Sequence, residues 1–335
     1  MTGEAITLAG DVGGTKVNLA LCIRRGTKIV VQAQRRYSSA QFKDLSEILL
    51  TYLSEVKADR KHIVRGCFGV PGPVISGRCQ TVNLPWILEE HELEEKLRVR
   101  PVRLVNDLAA MAYGLRVLEE GVGLTVLRRG IMNPHANQAL MAPGTGLGEA
   151  ILFWDGKRHR VSASEGGHCD FGPQNEEQIE LLKWLWDRHK HASWEHVASG
   201  PGIYRVYRFL KETGREKEPQ ALGESLAVPQ ADPSPIIAAA ALRGEPRICV
   251  RTMDLWLYCV GAEASNLALK TLSFGGLFVG GGVVPHVLEL FKRDAFSEGF
   301  DAKGRMTSIV SAIPVYAVTD QHTPIYGAAL AAEEL

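Results

Sequence analysis

The sequence has no excess charge of either sign. Its 335 residues include 38 lysines and arginines and 38 aspartates and glutamates, so the formal net charge is zero and the isoelectric point is near 7.1. Proteins that bind nucleic acid or an anionic membrane through charge usually carry a basic excess. The balance therefore predicts a partner that is neither nucleic acid nor membrane.

Cysteine is sparse and scattered. The six cysteines are Cys22, Cys67, Cys79, Cys169, Cys249 and Cys259. No two of them are separated by two residues, the spacing typical of zinc ribbons and redox motifs. We expect reduced, buried thiols of a cytoplasmic protein, and neither a disulfide framework nor a closed zinc site.

Long apolar runs are also missing. The most apolar region, residues 255–284, contains Glu263, Asn266 and Lys270, which argues against a membrane-spanning helix. The amino-terminal stretch carries Glu4 and no basic region, so we expect no signal peptide. The 45% apolar content is ample for packed cores, and the length predicts two domains.

Three common catalytic fingerprints are absent. Gly10 to Lys16 lacks the spacing of a Walker loop, because Thr15 occupies the position of its second glycine. No G-x-G-x-x-G opens a helix after a predicted strand, which disfavours dinucleotide redox chemistry. No G-x-S-x-G elbow supports a hydrolase.

Glycine, in contrast, is abundant, and it clusters in turns. The 34 glycines exceed the usual share of ~7%. In the first cluster, Gly13 and Gly14 leave backbone N–H groups free to point at a ligand, while Asp11 adds a carboxylate and Thr15 a hydroxyl. This set suits a phosphate with its magnesium ion. An ordinary tight hairpin is the alternative.

Two later clusters resemble the first. Gly144 and Thr145 lie in a second strand–turn–strand segment, and Gly280, Gly281 and Gly282 stand between an apolar strand and a predicted helix. A strand, glycines and a helix start form a common nucleotide-binding geometry. Together the clusters predict two related lobes that clamp one nucleotide.

Polar pairs stand at other strand ends. Asp107, after the strand predicted at 102–105, could take a proton from an attacking hydroxyl, and Asn106 could hold a neighbouring hydroxyl; helix capping is the alternative. Glu165 and His168 flank two glycines and could converge on one polar ligand, or belong to a surface turn. Glu195 could be another ligand or first-turn helix charge.

Periodicity predicts the remaining elements. Apolar spacing indicates helices over 39–57 and 108–119, and a strand over 74–82. Residues 214–234, rich in Glu, Pro and Gln, are expected to form a mobile loop.

Together these motifs resemble those of bacterial glucokinases. The shared segments, in that family's order, are DVGGT (11–15), VPGP (70–73), NLPW (83–86), ND (106–107), APGTGLG (142–148), SEGGH (164–168) and SGPG (199–202). Each is weak alone, but together they are highly specific. Two positions depart from the pattern: Lys16 stands where the family often has Asn, and Val82 where Thr is common.

The resemblance implies an α/β, two-lobed, actin/hexokinase-like (ribonuclease H-like) fold with the active-site cleft between the lobes. We expect a small lobe at 1–119 and 319–335 and a larger lobe with helical insertions at 120–318. The implied activity is ATP-dependent phosphorylation of the glucose 6-hydroxyl in a cytoplasmic enzyme, often a homodimer. A kinase for another hexose, such as fructose or mannose, and a non-catalytic sugar sensor remain alternatives.

The resemblance also assigns roles. Asp107 would be the general base. The sugar ligands would be Asn83, Asn106, Glu165, His168 and Glu195. The residues facing the ATP phosphates and Mg²⁺ would be Asp11, Gly13, Gly14, Thr15, Gly144 and Thr145. Asp11 would hold Mg²⁺ through water or phosphate, and Gly280, Gly281 and Gly282 would line the adenosine side.

Overall fold

The computed structural model describes residues 4–81 and 84–334. The chain divides into two compact units. The first comprises Met1–Gly123, Val161–Ala163 and Asp320–Leu335, and the second comprises Leu124–Arg160 and Ser164–Thr319. Among the described residues, no helix combines the length and apolar character needed to cross a membrane.

The first unit is built on a five-stranded sheet. Its strands are β1 (Ile6–Val12), β2 (Lys16–Arg25), β3 (Lys28–Ser38), β4 (Ile63–Val70) and β7 (Val102–Asn106), in the order β3-β2-β1-β4-β7. The first three are antiparallel, whereas β1, β4 and β7 run parallel. A separate short hairpin pairs β5 (Arg78–Gln80) with β6 (Ile87–Glu89).

Helices cover both faces of this sheet. They are α1 (Leu45–Glu55), α2 (Glu90–Leu97), α3 (Asp107–Gly114) and α13 (Thr323–Glu334). Strand side chains alternate between faces, so Leu8 of β1 packs with the α1 and α2 side, whereas Ala9 packs with α3 and α13. The small Ala9 is matched by a row of alanines on α13. The sheet is therefore buried on both sides, as its parallel strands require.

The second sheet has seven strands. They are β8 (Glu119–Glu120), β9 (Gly123–Arg128), β10 (Gln138–Pro143), β11 (Leu147–Trp154), β12 (His159–Ser164), β13 (Leu277–Val279) and β14 (Val315–Val318), in the order β12-β11-β10-β13-β14-β9-β8. Strands β10, β13 and β14 run parallel, and β11 returns antiparallel to β10.

The remaining helices belong to the second unit. They are α4 (Glu176–Trp186), α5 (Trp194–Ala198), α6 (Gly200–Glu212), α7 (Gln220–Leu226), α8 (Pro233–Leu242), α9 (Arg247–Thr271), α10 (Val284–Val287), α11 (Asp294–Asp301) and α12 (Thr307–Ser311). The 25-residue α9 is the central element, with 17 of its residues buried. Its Trp256 is fully buried, and its indole N–H donates to the carbonyl of Ser199 at the start of α6 (2.9 Å).

Four of the expectations for secondary structure were wrong in extent. The helix expected over 39–57 is α1 (Leu45–Glu55), preceded by a separate 3₁₀ turn. Residues 214–234 contain α7, because Leu222 is buried in the core of the second unit. The strand expected over 74–82 is reduced to β5, since Ser76 and Gly77 have φ of 51° and 74° and form a tight turn. The helix expected to Glu119 ends at Gly114 and continues only as a 3₁₀ turn.

Candidate active site

The first glycine turn joins β1 to β2 as predicted. Val12 pairs with Val17, and the N–H of Gly13 donates to the carbonyl of Lys16 (2.8 Å). Ser39 fixes the turn from outside, because its N–H donates to the carbonyl of Thr15 (3.1 Å) and its hydroxyl to that of Gly13 (3.1 Å). Thr15 itself is exposed. The turn thus presents its hydroxyl to solvent from a fixed backbone.

Asp11 is held from the neighbouring strand. The Asn18 side-chain amide donates to Asp11 Oδ2 (3.1 Å), and Asn18 Oδ1 accepts from Arg36 Nε (2.9 Å). The guanidinium therefore fixes which way the amide faces. Burial raises the pKa of Asp11, while the Asn18 hydrogen bond and the charge of Arg36 lower it. A carboxyl whose pKa is raised on balance would be stabilised in its ionised form by a nearby cation.

Asn106 and Asp107 lie at the carboxyl end of β7, as predicted. Asn106 is the N-cap of α3, and its Oδ1 accepts from the N–H groups of Leu108 (2.9 Å) and Ala109 (3.2 Å). Asp107 is the first residue of the helix, and its Oδ1 accepts from Leu108 N–H (2.9 Å). Capping therefore falls mainly to Asn106, so it does not account for Asp107.

Parallel pairing brings Asp11 and Asp107 to one edge of the sheet. Asp11 pairs with Gly69 of β4, and the next residue of β4 pairs with Asn106. The two acids are thus two strand spacings apart, roughly 10 Å. A Cβ on Gly69 would lie 2.9 Å from Ala110 Cβ and 3.5 Å from Asp107 Cα, so glycine is required for α3 to sit this close. Asn83, the other predicted ligand of this half of the chain, lies outside the described residues.

The second glycine turn joins β10 to β11, again as predicted. The N–H of Gly144 donates to the carbonyl of Gly146 (2.8 Å), and the carbonyl of Gly144 accepts from Gly200 N–H at the start of α6 (2.8 Å). Thr145 is exposed. The turn repeats the plan of the first one and is anchored to a helix start.

The third glycine cluster lies beside this turn. Gly280 N–H donates to the carbonyl of Met141 on β10 (2.8 Å), and a Cβ on Gly281 would lie 2.5 Å from the Pro143 carbonyl. Among the described residues, in contrast, a Cβ on Gly282 would meet nothing within 4 Å, and one on Gly144 only a backbone oxygen at 4.0 Å. Gly281 is thus explained by packing within the chain. Gly144 and Gly282 border open space instead.

Glu165 and His168 share one turn of 3₁₀ helix. The turn spans Gly166–His168 with Glu165 as its N-cap. Side chains three residues apart eclipse in a 3₁₀ helix, so both exposed side chains lie on one face. The glycines between them have a second purpose that the sequence pattern did not suggest. A Cβ on Gly166 would lie 1.9 Å from Glu149 Oε2, and one on Gly167 2.0 Å from the Leu147 carbonyl.

Glu195 links this loop to the second glycine turn. Its Oε2 accepts from the backbone N–H of Leu147 (3.0 Å). The residue before it, Trp194, donates its N–H to the carbonyl of Cys169 (3.0 Å), directly after the loop that carries His168. Glu195 is therefore more than first-turn helix charge, because its carboxylate holds the phosphate-type turn in place.

The structure thus groups the predicted residues within each unit. The first unit holds the turn with Asp11, Gly13, Gly14 and Thr15 and the pair Asn106 and Asp107. The second holds Gly144, Thr145, Glu165, His168, Glu195, Gly280, Gly281 and Gly282.

Two supporting residues escaped the sequence analysis. Asn18 lies directly opposite Asp11 in the hairpin, which the symmetry of a turn centred on residues 13–16 could have shown. Glu149 is a charged residue within an apolar strand, and its exposed fraction is only 1%. An isolated acid in a strand of this kind was the available signal.

Comparison with known proteins gives a consistent result. A family model described as glucokinase matches residues 8–335. The glucokinase of Nostoc sp. (strain PCC 7120 / SAG 25.82 / UTEX 2576) is 36% identical over 343 residues, covering 98% of this chain and 99% of that protein. The crystal structure of a glucokinase from an Antarctic psychrotroph is 30% identical, with a TM-score of 0.85 and 99% of each chain covered.

A more distant structure shares the fold. It is a ROK family glucokinase from Streptomyces griseus in complex with glucose and AMPPNP, with 21% identity and a TM-score of 0.68 over 98% of this chain and 100% of that one. The predicted α/β, actin/hexokinase-like fold class is confirmed by these likenesses.

Proposed function

The chain belongs to the glucokinase family, and we propose that it transfers the γ-phosphoryl group of ATP to the 6-hydroxyl of glucose. The observation that carries this proposal is the position of Glu195. Its carboxylate contacts the turn that contains Gly144, and its neighbour is hydrogen-bonded to the end of the loop with Glu165 and His168. A turn suited to phosphate and a set of side chains suited to hydroxyl groups are thereby joined.

The reaction needs a base and positioned ligands. We assign Asp107 as the base: its carboxylate takes the proton of the 6-hydroxyl as that oxygen bonds to the γ-phosphorus, and the bond from this phosphorus to the β–γ bridging oxygen breaks to release ADP. Glu165, His168 and Glu195 hold the other sugar hydroxyls, and so does the Asn106 amide, whose Oδ1 already caps α3. Asn83 completes this proposed set.

The residues present fit Mg-ATP. The two glycines that border open space, Gly144 and Gly282, leave room for a bulky ligand against the backbone. The partly buried Asp11 can hold Mg²⁺ through water or phosphate, as a hard cation prefers oxygen ligands. Gly14, Thr15 and Thr145 supply N–H and hydroxyl donors. Gly13 lines the same turn, but its N–H, expected from the sequence to be free, already donates to the Lys16 carbonyl. The nucleotide, when bound, supplies the phosphoryl group, and the cation neutralises its charge.

Substituting the two open glycines tests the nucleotide site. Gly144→Ala and Gly282→Ala place a methyl group in space that the protein leaves empty, so neither should change the melting temperature by more than a few degrees. Each should raise the KM for ATP by about 10- to 100-fold, which is the effect of losing one hydrogen bond to a charged group.

Steady-state kinetics with varied ATP and thermal melts measure both effects. Gly172→Ala is the matched control, because its Cβ would meet only Trp194 at 3.9 Å, an ordinary contact. An unchanged KM for ATP in both variants would contradict a nucleotide site at these glycines.

Glu195 has two proposed contacts that substitution can separate. Glu195→Gln retains an oxygen for the Leu147 N–H but loses the charge that strengthens bonds to sugar hydroxyls, so the KM for glucose should rise roughly tenfold with the KM for ATP unchanged. Glu195→Ala removes both contacts and should raise both KM values.

Glu176→Ala is the control for helix charge, since Glu176 is also in the first turn of a helix. Equal effects of Glu176→Ala and Glu195→Ala would show that Glu195 acts only as helix charge.

A hexose panel tests the function itself. Purified protein with Mg-ATP should phosphorylate glucose, and relative kcat/KM values separate glucose from fructose and mannose. Absence of product with every sugar, together with glucose binding by calorimetry, would favour a sugar sensor. We further propose a cytoplasmic homodimer, as the family resemblance implies, and light scattering in solution tests the dimer.

A further inference from the structure

Two buried glutamates form a pair behind the loop with Glu165 and His168. Glu149 of β11 is 1% exposed and Glu263 of α9 is fully buried. The two carboxyl groups face each other, and each affects the pKa of the other. Two buried carboxylates that are this close repel each other when both are ionised, which favours one proton on the pair.

The surroundings decide which one carries the proton. Glu263 Oε2 accepts from the Asn266 side-chain amide (2.8 Å), and its Oε1 lies 3.6 Å from Lys270 Nζ. Lys303 is a further cation facing Glu263. Burial raises the pKa of Glu263 as well, but these contacts act against that rise. Burial and the charge of Glu263 raise the pKa of Glu149 to about 8. Glu149 is therefore the protonated member of the pair.

The protonated carboxyl group lies directly against the sugar-binding loop. The close approach of Glu149 Oε2 leaves no room for a Cβ on Gly166, the residue after Glu165. Gly166 N–H donates to the Ser164 hydroxyl oxygen (3.0 Å). The Glu149 carboxyl group therefore supports the loop by packing against it and not by a hydrogen bond to that N–H. Within the part of the chain that the structure describes, Glu149 Oε1 has no hydrogen-bond partner. An apolar side chain at position 149 would pack here without leaving a buried oxygen unpaired, yet the chain has a glutamate.

We propose that Glu149 is a positioning residue for hexose binding: its carboxyl, held by Glu263, fixes Gly166 so that Glu165 and His168 keep the geometry that binds sugar, and loss of the shared proton displaces the loop. The inference rests on the proposed sugar kinase function. It extends that function by giving glucose affinity a built-in dependence on alkaline pH.

The direction of the pH effect follows from the pair. The groups that face Glu149 and its partner are Glu263 and Lys270 of α9 and Lys303. Below pH 8 the proton is shared and the loop is supported. Above it, two adjacent negative charges repel and the pair separates. If only the protonated form binds sugar well, the KM for glucose should be roughly tenfold higher at pH 9 than at pH 7, while the KM for ATP changes less.

Substitutions of Glu149 distinguish its packing support of the loop from its change of protonation state. Glu149→Gln keeps the shape and a donor to Glu263 but cannot ionise, so it should flatten the rise in the KM for glucose between pH 7 and pH 9. Glu149→Ala removes the support and should raise the KM for glucose at every pH. The glutamine variant should therefore restore much of the affinity that the alanine variant loses. Glu92→Gln, at an exposed glutamate of α2, controls for loss of one carboxyl group.

The experiment measures the KM for glucose and for ATP from pH 7 to pH 9 in the parent protein and these variants, with circular dichroism to verify folding. A flat parent profile overturns the proposal even if no variant folds. It is also overturned if Glu149→Gln keeps the alkaline rise, or if folded Glu149→Ala binds glucose like the parent. Failure of the parent to phosphorylate any hexose at pH 7 would instead overturn the proposed function, so the two failures are distinguishable.

Discussion

Asp107→Asn should lower kcat at least about 100-fold and change the KM for glucose far less. Asparagine has nearly the same size and retains an oxygen that can accept from Leu108 N–H, but it cannot take up the proton of the sugar hydroxyl. A group that acts mainly in the transition state affects kcat and not substrate affinity. General-base catalysis typically contributes ~10²–10⁴-fold. A loose phosphoryl-transfer transition state favours the lower end of that range.

The fold should tolerate this substitution. Asn106 already caps α3 through two hydrogen bonds, so the cap remains when the Asp107 charge is removed, and the lost helix-dipole interaction is worth about 0.3–1 kcal/mol. Thermal melts of the variant should therefore be nearly those of the parent. The large loss in kcat and the small loss in stability together distinguish a base from a structural residue.

Asp294→Asn is a matched control, because Asp294 is also the first residue of a helix, α11, and its side chain is exposed. Single-turnover kinetics measure the chemical step, and a saturating hexose keeps binding constant. A folded Asp107→Asn protein with kcat close to that of Asp294→Asn would refute the assignment of Asp107 as base.

The glycine turns could be predicted from the sequence because their signals are local. In the segment from Asp11 to Lys16, apolar strands flank adjacent glycines, and a hairpin is the simplest geometry that this pattern permits. The same holds for Gly144 to Leu147. Asn106 and Asp107 follow an apolar strand, so their place at a strand end was equally readable. What the pattern could not give was the partner of each side chain.

The errors in the sequence reading came from contacts distant in the chain. Helix α7 forms within a polar stretch because Leu222 reaches the core of the second unit and Glu218, just before the helix, accepts from the Tyr207 hydroxyl (2.6 Å). Helix α3 ends at Gly114, where a Cβ would lie 2.1 Å from the Thr323 carbonyl of α13. Neither partner is visible in a window of local periodicity, so composition alone suggested a loop in one case and a longer helix in the other.

The polar residues of α9 also show what a local sequence pattern cannot reveal. Glu263, Asn266 and Lys270 argued from sequence against a membrane span, which is a statement about the whole segment. The structure adds that Asn266 donates a hydrogen bond to Glu263 and that Lys270 forms an ion pair with it. Glu263 in turn faces Glu149. A strand and a helix more than a hundred residues apart in the chain supply one pair. Only the folded chain reveals that the two acids are neighbours.

Gly166→Ala should be strongly damaging to the sugar ligands on either side of it. Its Cβ would lie 1.9 Å from Glu149 Oε2 and 3.2 Å from Ser164 Oγ. Glu149 cannot swing aside freely, because it is buried and faces Glu263. The loop itself must then move, which carries Glu165 and His168 away from their positions. A displacement of about 1 Å at a binding group can cost roughly 100-fold in catalytic efficiency.

We therefore expect kcat/KM for glucose to fall about 100-fold in Gly166→Ala, with a destabilisation of about 1–3 kcal/mol from overpacking. Gly172→Ala, six residues later and in ordinary contact with its surroundings, should match the parent in both respects. Kinetics with varied glucose and thermal melts measure the two effects. If folded Gly166→Ala retains the glucose kinetics of Gly172→Ala, then the loop does not depend on its contact with Glu149, because a methyl group forced into that contact would have left the ligands in place.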